Sequence, residues 1–100
     1  MHINTKYDSE IYDVILSGKF TFADHTKFRN LLESIRKLSL RQIILHMAEV
    51  EFIDSAALGM LLLARDEASK SGKSLLISDV SGQVEKIFKL ARFDTLFDMR

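Results

Sequence analysis

Asp54-Ser55 stands where an apolar strand-like run gives way to an apolar helix-like run. That placement opens chemistry to the serine hydroxyl. The first N–H groups of a helix lack intrahelical partners, and the macrodipole puts partial positive charge there. A serine at this point is expected to be exposed, and a phosphate on it would meet N–H donors rather than a repelling field. Asp and Ser also serve as plain helix caps, and local chemistry alone favours the cap.

The other reactive residue types give less. The three histidines, His2, His25 and His46, form no recognisable metal spacing with another ligand. His46 falls in a strand-like run and reads as structural, and His25 falls at a helix start and reads as solvated. No two of the four glycines are close enough to make a phosphate-cradling loop, and no Gly-x-Ser-x-Gly elbow exists. Ser55 has no base beside it in sequence, so a triad would have to bring Asp54 together with His25 or His46 in space. The expectation is a non-enzyme with no cofactor, no metal and no small-molecule substrate.

Composition narrows the partners. Fourteen basic residues balance fourteen acidic ones, which gives no electrostatic reason to expect nucleic acid or an anionic membrane. Without cysteine there are no disulfides, thiolate metal sites or cysteine nucleophiles. The longest apolar run lies within Met60 to Ala64, too short to cross a bilayer. Met1-His2-Ile3-Asn4 lacks the regions of a secretion signal. These features together predict a cytoplasmic protein.

The elements that must position Ser55 follow from periodicity. One hundred residues suit one domain, 1–100, with a single core. Ile3 to Tyr7 is a weak strand, Asp8-Ser9-Glu10 a turn, and Ile11 to Ser17 a strand with Tyr12, Val14 and Leu16 on its covered face. Gly18 is expected to end it. Thr21-Phe22-Ala23-Asp24 fits a capping box, and Phe28, Leu31, Leu32, Ile35 and Leu38 follow at helical spacing. Arg41 to Met47 reads as an interior parallel strand. A second helix opens at Asp54 or Ser55 and is stopped by Gly72. Ser74 to Ser78 is a buried strand. Ser81-Gly82 opens a third helix with Val84, Ile87, Phe88 and Ala91 on one face. Phe93 to Met99 is a short edge strand or an irregular tail. The order β-β-α-β-α-β-α predicts an α/β fold: a small mixed sheet, first strand antiparallel, helices mainly on one face.

On a helical wheel, Ala57, Leu61, Ala64 and Ala68 form a core stripe widened by Leu58. Leu63 falls almost opposite, and Ala56 and Met60 flank it. Polar residues belong there, yet they begin only with Asp66, Glu67 and Lys70. Either another element covers that side, or a partner docks beside Ser55.

Phe52-Ile53-Asp54-Ser55-Ala56-Ala57-Leu58-Gly59 resembles the signature of STAS domains in bacterial anti-sigma factor antagonists: aromatic, aliphatic, Asp, Ser, Ser or Thr, Gly, Leu, Gly. The resemblance covers the whole chain. It implies a switch in which a protein that is both serine kinase and anti-sigma factor binds the unmodified antagonist and phosphorylates it at Ser55. The phosphorylated form lets go, and a serine phosphatase resets it. ATP then belongs to the kinase. Together with the apolar side of the wheel, the resemblance gives the expected contact residues Thr21, Asp24, Asp54, Ala56, Gly59, Met60 and Leu63. Ala56 and Ala57 replace the usual Ser/Thr and Gly. Gly18-Lys19-Phe20-Thr21 replaces a loop that usually ends in Asp, so Asp24 is the substitute carboxylate. The family's usual last helix is missing or reduced before Arg100. The same fold also resembles the accessory subunit that braces the ATPase of lipid-transport ABC systems, which is the alternative reading.

Overall fold

The structure, a computed structural model, describes residues 1–8 and 10–100. The turn expected at Asp8-Ser9-Glu10 contains Ser9, which lies outside the described residues. Strands β1 (His2–Tyr7), β2 (Ile11–Phe20), β3 (Gln42–Ile53), β4 (Ser74–Ser78) and β5 (Asp98–Met99) form a sheet in the order β1-β2-β3-β4-β5. β1 runs antiparallel to β2, and the remaining neighbours pair in parallel. Helices α1 (His25–Lys37), α2 (Ser55–Lys70) and α3 (Gly82–Leu90) make the crossovers between parallel strands. Each crossover steps the same way along the sheet, so a common right-handed sense places all three helices on one face. Their buried residues share one core with alternate residues of the strands: Phe28, Leu61 and Phe88 with Val14, Leu45 and Ile77. Each such side chain contributes about 1.5–3 kcal/mol relative to exposure.

The opposite face carries Asp13, Ile15 and His46, each half-buried, with Ile44 and Ser78 buried among them. Alternation along β2 is as the sequence predicts, with Tyr12, Val14 and Leu16 buried.

Three expectations are corrected. Gly18 does not end β2. The strand continues to Phe20 through register shifts between Ile15 and Ser17 and between Gly18 and Lys19. Gly18 adopts φ +87, a conformation that suits a residue without Cβ and lets the strand bulge instead of stopping. β3 runs past Met47 to Ile53, because the bulged β2 still offers partners: Lys19 pairs with Phe52 and Phe20 with Ile53. Ala91 lies beyond the end of α3 and is exposed, since the helix closes at Leu90.

Gly72 does stop α2. It has φ +71, and the Lys73 N–H donates to the Ala68 carbonyl at 2.8 Å, the bond of a Schellman ending. The tail combines both expected forms, a 3-10 turn at Phe93–Thr95 followed by β5 as a two-residue edge strand.

Candidate functional site

β2 and β3 end side by side, and this positions the site. The Asp54 N–H donates to the Phe20 carbonyl at 3.3 Å, so the chain leaving β2 and the chain entering α2 start from one point. In sheets of this kind the carboxyl ends of parallel strands are where loops converge. Here those loops are the turn at Thr21–Asp24 and the Asp54-Ser55 corner.

Asp54 is the N-cap of α2. Its Oδ1 accepts the Ala57 N–H at 2.8 Å, and its Oδ2 accepts the Phe22 N–H at 3.1 Å. Ser55 is the first residue of α2 and is exposed. Its hydroxyl therefore stands at the positive end of a 16-residue helix. Gly59 is exposed one turn further on, and a Cβ there would meet nothing within 4 Å. Leu63, another turn along, is 57% exposed, and Ala56 is half-buried.

Two expected contact residues are buried. Met60 is 8% exposed and belongs to the core. On the wheel it lies about 67° from the centre of the Ala57–Leu61–Ala64 stripe, against about 127° for Leu63, and a long flexible side chain at that angle reaches inward. Asp24 is also 8% exposed. It completes the capping box with Thr21, its Oδ2 accepting the Thr21 N–H at 3.0 Å, while the Met1 ammonium lies 3.3 Å from Oδ1. One oxygen is used within the turn and the other by the Met1 ammonium, and the carboxylate adjoining Ser55 is Asp54. Thr21 is half-buried, and its hydroxyl accepts the Ala23 N–H at 3.3 Å.

Sequence reasoning missed Phe22. It is 63% exposed, and its ring stacks on His25 at a centroid distance of 4.8 Å and an angle of 9°. The signal was available: a phenylalanine directly after a capping Thr has no place on the core stripe of the helix that follows.

The triad of Asp54 with His25 or His46 is not assembled. His25 Nδ1 lies 3.2 Å from the Phe22 carbonyl. His46 forms a different row across the helix-free face of the sheet, with Nε2 2.7 Å from Asp13 Oδ1 and Nδ1 3.0 Å from Ser78 Oγ. An ionised carboxylate only accepts, so Nε2 carries the proton toward Asp13. Ser78 is 3% exposed, and a nucleophile must reach a substrate. The row instead ties β2, β3 and β4 together through satisfied polar groups. Among the described residues, no group of three or more His, Cys, Asp or Glu could hold a metal ion, and no helix is long and apolar enough to cross a membrane.

A STAS domain family model matches residues 2–100. A STAS-domain containing protein of Pseudomonas aeruginosa is 31% identical over 90% of this chain and 88% of its own length. The anti-sigma-B factor antagonist of Staphylococcus aureus is 22% identical over 90% of this chain and 83% of its own. The phosphorylated form of SpoIIAA, a Bacillus cell fate determinant, superimposes with a TM-score of 0.74 at 15% identity, covering 99% of this chain and 91% of that one. This chain therefore belongs to the STAS domain family, and its fold is that of the anti-sigma factor antagonists.

Proposed function

We propose that this protein is an anti-sigma factor antagonist-like switch in the cytoplasm. Unmodified, it binds a regulatory partner that is also a serine kinase. Phosphorylated on Ser55, it releases that partner, and a serine phosphatase restores it. In the modifying step the γ-phosphoryl group of ATP, held by the kinase, passes to Ser55 Oγ. The hydroxyl proton leaves and ADP is the other product. The protein itself acts by binding and catalyses nothing.

The observation that carries this reading is the exposure of Ser55 as the first residue of α2, beside Gly59 and Leu63, which are exposed and which the fold does not require. The contact surface consists of Thr21, Asp54, Ser55, Ala56, Gly59 and Leu63. Met60 and Asp24 support it from beneath. The accessory role in a lipid-transport ABC system draws no support from the named antagonist relative.

Mass spectrometry of the protein purified from its own cells tests the reading. Phosphate is expected on Ser55, in a fraction that shifts when the kinase or the phosphatase is deleted. Ser55 unmodified under every growth condition would sink the switch.

A further inference from the structure

We propose that Asp54 is a positioning residue that clamps the Phe22 turn to the start of α2, and that a phosphate on Ser55 acts through this carboxylate to free the turn. The inference rests on the reading of Ser55 given above. A helix cap needs one side-chain acceptor. Asp54 spends one oxygen on that task, at Ala57, and the other on the Phe22 N–H, 32 residues away in sequence. The second bond does nothing for the helix. It holds the segment that carries an exposed aromatic ring.

The charges around the corner make this clamp sensitive to modification. Between Val50 and Ala64 there is no Lys or Arg. Asp24 is directed to Thr21 and the Met1 ammonium, so Asp54 is the carboxylate that adjoins a phosphate on Ser55. A phosphate brings about −1.5 to −2 charges and three strong acceptor oxygens. It repels Asp54 and competes for the amides of the first turn. The helix is indifferent to which acceptor satisfies those amides. The Phe22 N–H, in contrast, is given to Asp54. The loss therefore falls on the turn and not on α2. Thr21 and Asp24 keep the turn's internal bonds, so Phe22 and His25 shift together as a stacked pair.

The experiment is amide exchange and chemical shift at Phe22, read by NMR on the full chain. It compares unmodified protein, protein with phosphoserine incorporated at position 55, Ser55→Ala, and Asp54→Ser with and without phosphate. Asp54→Ser retains a cap for Ala57 but has no second oxygen for Phe22. Phosphate is expected to speed Phe22 exchange about tenfold, the change that corresponds to one hydrogen bond of ordinary net worth. The Asp54→Ser variant should show the same increase without phosphate and no further increase with it, and Ser55→Ala should show none. Equal Phe22 exchange with and without phosphate overturns the proposal, as does an unaltered Phe22 in Asp54→Ser. Circular dichroism confirms that each form is folded. The two readings fail separately. Release of a partner by phosphoprotein whose Phe22 is unmoved defeats the clamp alone. A loosened Phe22 in protein never phosphorylated in cells defeats the switch alone.

Discussion

Leu63 and Met60 are three residues apart on α2 and have opposite fates. Leu63 is 57% exposed, while Met60 lies in the core. A lysine at each position separates the proposed contact surface from what supports it. Leu63→Lys should leave stability within about 0.5 kcal/mol, as surface changes do, and weaken the partner complex. Met60→Lys buries an unpaired ammonium and should cost several kcal/mol, on the order of other buried-charge substitutions. Urea titration of both variants checks the first half, and partner titration with Leu63→Lys checks the second. Unchanged affinity would remove Leu63 from the surface. The pair of aspartates divides in the same way. Asp24 and Asp54 both open a helical segment, but Asp24 closes a capping box within its own turn while Asp54 links two segments. Sequence marks both as caps. Only the meeting of the β2 and β3 ends brings the Phe22 N–H within reach of Asp54.

At the scale of elements, α2 carries a glycine that its own fold does not use. Gly59 has ordinary helical backbone and open space where a Cβ would go. Glycine in a helix interior costs about 1 kcal/mol relative to alanine. Gly59→Ala should therefore stabilise the free protein by about 1 kcal/mol. If a partner's chain passes close over α2 beside Ser55, the same substitution should weaken the complex. Opposite signs in a melt and in a binding titration are the expected outcome, and tighter or equal binding would mean no close approach there. The position of this helix was legible because Asp54 opens it, Gly72 closes it and Ala57, Leu61, Ala64 and Ala68 repeat at its period. The ends of β2 and β3 were less so. Gly18 reads locally as a stop, and its role as a bulge depends on β3 continuing alongside it, a non-local pairing that no window of sequence contains. His46 was legible as structural, but its partners Asp13 and Ser78 come from two other strands and emerge only with the register.

At the scale of the molecule, one sheet face is covered by three helices, and the Asp54-Ser55 corner sits at its rim, outside the core. A phosphate at that rim adds charge without entering any packed layer. The positive end of α2 tolerates it, so circular dichroism of phosphorylated and unmodified protein should coincide. What should fail is the contact with the partner. Bringing Leu63 and its surroundings against an apolar surface would strip water from a dianion that has no Lys or Arg between Val50 and Ala64 to pair with. Ser55→Ala is therefore expected to bind the partner constitutively. Ser55→Asp should bind weakly while remaining folded, with a smaller effect than phosphate because it carries less charge. Screening distinguishes repulsion from dehydration. Salt shortens the reach of charges to about 8 Å at 0.15 M, so a purely repulsive mechanism would restore binding at 1 M salt. The dehydration of a phosphate pressed against apolar side chains is not screened in this way. The phosphoprotein should thus stay weak at high salt, while Ser55→Asp recovers part of its affinity. Tighter binding by the phosphoprotein at any salt concentration, or loss of helix on phosphorylation, would refute this mechanism.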